Sequence, residues 1–362
     1  MPTPLSLAVD VREACRPRMT GKGRWTHGFV SELLRRPEVR LTLLTDLAAP
    51  SEWTRPDMDV QILRRRGFAW HLAAARALGS VPNLAAYLSP TSYIVPAMPG
   101  RLPRIPVVHD LIAFRDEPHD RRASSIERLT LGRAVRRAPL VLTVSDATKT
   151  DLLKRYPKLP PSRVTAVYAG PLRSDPPPPR PDGFTVLCVA TLCPRKNQER
   201  LIRAFSSLPE AVRSKHQLVL AGARGWDDDG IVALAALTPG VEWKDYIDDA
   251  QYEKLMSTCT VLALPSLYEG FGLQVLDGMQ RGVPVLVSDR GSLGEIARDA
   301  ACVVDPESVE SIRDGLLRLL TDAGYRSSLI VQGSRRAEQY TWARSVDVFL
   351  NGLQGAGIAS VL

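Results

Sequence analysis

Residues 263–289 read ALPSLYEGFGLQVLDGMQRGVPVLVSD. An apolar run from Val261 to Leu264 stops at Pro265–Ser266, and Glu269 follows just before a Gly-Phe-Gly turn. A short amphipathic segment comes next, with Leu273, Leu276 and Met279 sharing one side at helical spacing. Gly282 stops it, and a second apolar run begins at Pro284. The order predicted is strand, loop, helix, strand. Asp277 lies off the apolar side of the helix and is expected to be free to face a cleft. Carboxylates accept paired hydrogen bonds from vicinal hydroxyls, and backbone N–H groups at a helix start favour an anion. The segment can therefore hold a polyol, an anion and a second polyol in a row.

Working outward, the same alternation fills the chain. Apolar runs in the second half fall at Phe184–Val189, Gln217–Ala221, Thr260–Leu264, Pro284–Val287 and Ala301–Val304. Helical patterns follow at Gln198–Ser206, Ala250–Ser257, Gly272–Arg281, Leu293–Ala297 and Val309–Leu320. The first half has runs at Leu5–Val11, Val39–Thr45, Val60–Leu63, Ala85–Leu88, Ile105–Val108 and Leu140–Val144, with helical patterns at Trp25–Arg36 and Ser124–Arg137. Short continuous apolar strands between helices imply parallel sheets covered on both faces. The seam is SDPPPPRP, residues 174–181, because four prolines in a row join neither helix nor central strand. The expected fold class is α/β, with two Rossmann-like, doubly wound domains facing across a cleft: 1–173, a linker at 174–181, and 182–341. Ligands are expected outside the carboxyl ends of the strands.

Composition narrows the function. The chain has 362 residues, with 44% hydrophobic and 24% charged, so two domains with real cores are affordable in size and disorder is not the default. No run is long and apolar enough to span a membrane, and the N-terminus lacks the basic stretch of a signal peptide. The location expected is cytoplasmic. Five cysteines, Cys15, Cys188, Cys193, Cys259 and Cys302, form no C-x-x-C and read as buried free thiols. The net charge of +8 is concentrated at Arg64–Arg66 and along Arg121, Arg122, Arg128, Arg133, Arg136 and Arg137, where Glu127 is the sole counter-charge. This is either a solvated face or a peripheral contact for an anionic membrane surface. Nucleic acid is disfavoured, because aromatics are 6% and do not interleave with the basic residues.

The loops at strand exits carry the chemistry. After the first strand, Gly21 and Gly23 flank Lys22 before a helix expected near Trp25; this is either a close backbone approach to an anion or a plain entry loop. After Ile105–Val108 come His109 and Asp110. The imidazole could donate to a sugar hydroxyl or carbonyl, with Asp110 orienting it or capping the next segment. A metal set of Asp116, His119 and Asp120 fits no common spacing. After Phe184–Val189, Arg195 and Lys196 precede Asn197, a good N-cap. Two cations at a helix start oppose the dipole unless an anion such as a diphosphate leaving group sits between them. With Glu269 and Asp277, that is the layout needed by a nucleotide sugar. Asp57-Met58-Asp59 and Asp227-Asp228-Asp229 read as a turn and a solvated loop.

Taken together, TGKGRWT, PVVHDLIAF, TVSDATKTDLLKRYP, ATLCPRKNQERLIRAF and LPSLYEGFGLQVLDGMQRGVPVLVSDRGSLGEI, in this order, resemble the family 4 retaining glycosyltransferases of GT-B architecture. The T-L-x-P-R-K-N loop is similar to that of a mannosyltransferase-like subgroup. The resemblance implies that Glu269 contacts the transferred sugar and that the backbone at Gly270, Phe271, Gly272 and Leu273 binds sugar and phosphate. It implies that Arg195 and Lys196 hold the diphosphate, that His109 touches the sugar, that Gly23 lies near the diphosphate, and that Tyr246–Ile247 meets the base. It further implies a C-terminal helix, 342–362, returning to the first domain, and chemistry without metal or other cofactor. The pattern departs from the family at Asp277, where a Glu is usual, at Thr191, where many relatives have Arg, and at Lys22.

The resulting expectation is a retaining, metal-independent hexosyltransferase. It would move a sugar, mannose from GDP-mannose being one candidate, from a nucleotide donor to a glycan or lipid-linked acceptor in polysaccharide or glycolipid synthesis. The alternatives are a non-catalytic nucleotide-sugar-binding homologue, which Asp277 would permit, and an epimerase of the same architecture.

Overall fold

The computed structural model describes residues 4–53, 55–56, 58–115, 121–172 and 183–359. They separate into two compact units. The first holds residues 4–115, 121–172 and 340–359, and the second holds 183–339. The proline run at 174–181, Asp57 of the D-x-D stretch, and Asp116, His119 and Asp120 lie outside the described residues.

In the first unit the strands are β1 (Leu5–Asp10), β2 (Val39–Thr45), β3 (Asp59–Ile62), β4 (Ala86–Ser89), β5 (Arg104–Val108), β6 (Val141–Thr143) and β7 (Val164–Ala166). All neighbours are parallel, in the order β3-β2-β1-β4-β5-β6-β7. The second unit repeats the scheme with β8 (Thr185–Val189), β9 (Gln217–Ala221), β10 (Val241–Lys244), β11 (Cys259–Leu264), β12 (Val285–Ser288) and β13 (Cys302–Val304), ordered β10-β9-β8-β11-β12-β13. Each order reverses direction once, beside β1 and beside β8. The crevice outside the strand ends opens at such a reversal. Strands β7 and β10 escaped the sequence reading because they are short, sit at sheet edges and mix polar with apolar residues.

Helices cover both faces, which is why β1 is buried almost throughout and does not alternate. The helix Gln198–Ser206 turns Leu201, Ile202, Ala204 and Phe205 into the core of the second unit. The helix at TGKG starts at Gly21, four residues earlier than expected, because the Thr20 hydroxyl caps it by accepting from the Gly23 amide at 3.3 Å. Asp228 is not part of a solvated loop: it is buried, it accepts from Arg224 Nε and Nη2, and Asp229 begins the helix Asp229–Leu237. All five cysteines are free thiols, and four are buried.

The terminal helix Trp342–Gly355 belongs to the first unit. Trp342 lies edge-on to Trp25 and donates to the Pro171 carbonyl at 2.8 Å, while Phe349 meets Phe29. A side chain at Gly28 would collide with the Trp342 ring, so this glycine permits the close helix approach. The helix Arg121–Arg137 exposes apolar Ile126 and Leu129 among its arginines. Leu131, Ala134 and Val135 are buried, and Arg128, Arg133, Arg136 and Arg137 are exposed. Glu127 is not a surface counter-charge: burial pushes its carboxyl up to about 7, against the pull of nearby Lys22.

Candidate active site

The loops leaving β8 and β11 flank the reversal point of the second sheet, and they bring together residues more than seventy positions apart. Arg195 donates to Glu269 Oε2 at 3.2 Å and to the Tyr268 carbonyl at 2.6 Å. Lys196 Nζ donates to Glu269 Oε1, and the Ser266 hydroxyl donates to the same oxygen at 2.8 Å. Glu269 is 8% exposed. Burial pushes its carboxyl up, but the Lys196 and Arg195 charges, with hydrogen bonds from Lys196 and Ser266, override it and hold the group down to about 2. Two cations and one carboxylate leave the cluster with one net positive charge. It lies wholly within the second unit, so no interdomain gap is needed to assemble it.

The cationic loop is locked by a residue whose role the sequence misassigned. Asn197 precedes the helix at Gln198 but makes no side-chain cap; its backbone is left-handed, with φ of 61°. The amide instead donates to the Pro265 carbonyl at 2.9 Å and the Pro306 carbonyl at 2.7 Å, tying the β8 and β13 exits to the β11 exit. Ser266, Ser288 and Ser292 also went unnoticed. Ser288 donates to the Ser266 carbonyl at 2.5 Å, and Ser292 donates to the Phe271 carbonyl at 2.7 Å. Lone serines at strand exits carry no local signal of such partners.

Gly270 is half-buried and Phe271 is buried beside it. Gly272 has φ of 98°, as the left-handed N-cap of the helix Leu273–Gln280, and Leu273 begins that helix. Gly291, with φ of 61°, packs on the Glu269 backbone: a Cβ there would collide with the Glu269 carbonyl oxygen and lie 2.9 Å from its amide nitrogen. Gly291→Ala is therefore expected to displace Glu269 and lower turnover about 100-fold, read by steady-state kinetics, with circular dichroism confirming a retained fold.

Asp277 corrects an expectation. It is 1% exposed and does not face open space. Its Oδ2 accepts from Tyr252 Oη at 2.5 Å and from Arg281 Nε at 2.9 Å, while the two terminal Arg281 nitrogens grip Glu253 at 2.8 Å each. The carboxylate one methylene shorter than the family's is thus absorbed into a buried network. Thr191 is exposed after β8, and its carbonyl accepts from Gln198 at 3.0 Å. Tyr246 and Ile247 are half-buried at the exit of edge strand β10.

Gly23 and His109 belong to the first unit. Gly23 is buried, and its missing side chain makes room for the Glu13 carbonyl of the preceding turn, so the close approach serves packing. His109 is 8% exposed, with Nε2 2.7 Å from the Pro90 carbonyl, so Nε2 carries the proton and its donor is already engaged. Burial and nearby Lys22 hold the ring neutral, with its pKa brought down to about 3 despite Asp110. Asp110 caps the next turn, accepting from the Ile112 amide at 3.1 Å.

A pH dependence of stability follows. Burial and Arg12 also bring His71 down to about 4. Between pH 4.5 and 6.5 the unfolded chain binds two histidine protons that the native state refuses, while native Glu127 keeps one proton that the unfolded chain gives up. The difference is one proton, so stability should rise with pH by about 1.4 kcal/mol per unit across that window. Glu269 adds nothing there, because its stabilisation is complete above its unfolded pKa and lost only as pH falls toward 2. Thermal melts of the wild type and His109→Gln check this; the slope should flatten in the variant.

Comparison with known proteins follows the same lines. The model of the family described as glycosyl transferases group 1 matches residues 174–336. An O-antigen chain mannosyltransferase B from Escherichia coli is 30% identical over 284 residues, 73% of this chain and 73% of that protein. A serotype-specific mannosyltransferase WbdA, also from Escherichia coli, is 29% identical over 48% of this chain but only 22% of its own length. The crystal structure of Anabaena Alr3699/HepE, in complex with UDP and glucose, superposes with a TM-score of 0.76 at 16% identity, covering 97% of this chain and 99% of that one. The two Rossmann-like units and the sequence kinship agree: the chain belongs to the group 1 glycosyltransferases and has the GT-B fold.

Proposed function

We infer that this protein transfers a hexose, mannose being favoured, from a nucleotide diphosphate sugar to a glycan or lipid-linked acceptor, with retention and without a metal. The observation that carries the reading is the Arg195–Lys196–Glu269 cluster at the sheet reversal of the second unit. A departing diphosphate needs positive charge that is already in place. Arg195, Lys196 and the N-terminal end of the helix Leu273–Gln280 supply it, so a divalent cation is not required for charge balance. Glu269, kept ionised, accepts hydroxyls of the transferred sugar. The backbone from Gly270 to Leu273 holds sugar and phosphate, and Thr191, Tyr246 and Ile247 lie toward the nucleoside. His109, on the first unit, offers Nδ1 as an acceptor, since Nε2 is occupied. Mannose is supported by the name of the Escherichia coli relative. The exposed Arg128, Arg133, Arg136 and Arg137, flanked by Leu129 at 70% and Ile126 at 44% exposure, suit peripheral contact with an anionic membrane that carries the acceptor.

The test is a panel of nucleotide sugars, with and without lipid-linked acceptors, in the presence of chelator. Product mass and anomeric configuration are read by mass spectrometry and NMR. Transfer from GDP-mannose with retained configuration is expected. Tight donor binding with no turnover on any acceptor would instead establish a non-catalytic binder.

A further inference from the structure

Asn197 follows directly on the cations Arg195 and Lys196, yet at 2% exposure it is too buried to meet a substrate. Its backbone stands at φ 61° and ψ 28°, a left-handed conformation that Gly and Asn adopt readily and that strains most other side chains. This one residue turns the chain from the short turn Pro194–Lys196 into the helix Gln198–Ser206.

Both polar atoms of the side chain are engaged. Nδ2 donates to the Pro265 carbonyl just after β11 at 2.9 Å and to the Pro306 carbonyl beyond β13 at 2.7 Å. Oδ1 accepts from Arg200 Nη1 at 3.0 Å. A flipped amide would set its oxygen against two carbonyl oxygens, so these partners fix its orientation. A second bond closes the same loop: the Leu267 amide donates to the Arg195 carbonyl at 2.8 Å. Lys196 therefore sits between two attachments to the β11 exit, the loop that also carries Glu269.

Charges that stabilise a leaving group contribute most when they need no rearrangement as the reaction proceeds. Arg and Lys on an untethered loop have many rotamers and a mutual repulsion that drives them apart. Glu269 holds the ends of the two side chains. Asn197 holds the backbone from which they spring.

We propose that Asn197 is a positioning residue of the transfer: its left-handed backbone and its two amide bonds aim Arg195 and Lys196 at the departing diphosphate. It touches no substrate itself. Resting on the glycosyl-transfer reading, part of the leaving-group stabilisation then depends on a neutral, buried amide.

The experiment compares the full chain with two variants. Asn197→Gly keeps the left-handed backbone and removes the amide, and Asn197→Asp keeps the size but replaces the two donors with acceptors. Calorimetry with GDP and GMP, and with UDP and UMP in parallel, reads the terminal phosphate without turnover. Wild type should bind its preferred diphosphate about tenfold tighter than the monophosphate, and both variants should lose about tenfold on the diphosphate and less than about twofold on the monophosphate. In steady state, Asn197→Gly should lower kcat about 30-fold and shift the donor KM less than about threefold. In a Lys196→Ala background the same change should cost less than about threefold, because residues that act as a unit are not additive. Leu319→Ala, a truncation in the core of the second unit, should melt lower yet leave the diphosphate-to-monophosphate ratio unchanged.

An Asn197→Gly protein that keeps the wild-type ratio, or loses both nucleotides alike, overturns the proposal. So does a kcat loss of equal size with and without Lys196, or a Leu319→Ala protein that loses the ratio as Asn197→Gly does. Should Asn197→Asp not fold, Asn197→Gly decides by itself. Failure of the glycosyl-transfer reading shows separately, as wild-type protein that turns over no nucleotide sugar while the nucleotide titrations still report on Asn197.

Discussion

Lys196→Ala is expected to lower donor turnover by about 100- to 1,000-fold, the scale seen when one preorganised donor is removed from a developing negative charge. The ammonium is only 11% exposed and sits against a carboxylate that is 9% exposed at its side chain. Without it the cluster falls from one net positive charge to none, just where a diphosphate would leave. The effect should fall on kcat more than on KM, since charge on the leaving group grows toward the transition state. Stability should fall as well, because Glu269 keeps only Arg195 and Ser266 in a buried site. Initial rates of product release, with melting curves at matched pH, separate the two effects. A variant that melts lower but turns over donor at the wild-type rate would remove Lys196 from the chemistry.

The largest stability effect is expected at Asp277. Replacing it with Ala leaves Arg281, 8% exposed at its side chain, with Glu253 alone, and leaves the Tyr252 hydroxyl without its acceptor. Breaking a buried pair by removing one partner costs about 3–5 kcal/mol. Tyr252→Phe removes a single hydrogen bond and should cost about 1 kcal/mol. Chemical denaturation of the two variants measures the ratio. Equal losses would mean that the Arg281 contact contributes nothing. Burial, opposed by Tyr252 and Arg281, raises the Asp277 carboxyl, while burial and Asp277 raise the Tyr252 phenol well above its ordinary range, so Tyr252 stays a donor.

The cationic cluster and Asp277 also differ in how far each could be read in isolation. Glu269 and the Arg195–Lys196 pair were legible because each sits directly after a short apolar run, where a strand must end and a loop must begin. The unfavourable placement of two cations at a helix start pointed to an anionic partner, and the structure supplies one internally in Glu269. Asp277 was misjudged for a different reason. Helical spacing gives the side of the helix on which a residue lies, not what packs against that side. Its partner Tyr252 comes from another helix, Asp249–Ser257, twenty-five positions away. The edge strands β7 and β10 were missed because a strand with one open edge and a half-exposed face needs no continuous apolar run. The tight helix approach at Gly28 depends on Trp342, more than three hundred residues later in the chain.

By itself, then, the order of residues determined the alternation of strand and helix, the parallel character of the sheets, and which loops carry charge. These follow from local rules of burial, period and turn chemistry. Only the tertiary structure decided that the exits of β8 and β11 become neighbours, that Asn197 ties them together, and that Asp277 turns inward. Strand order and side-chain partners are fixed by contacts between residues far apart in sequence, whose closure entropy is offset only when the whole sheet and its covering helices assemble together.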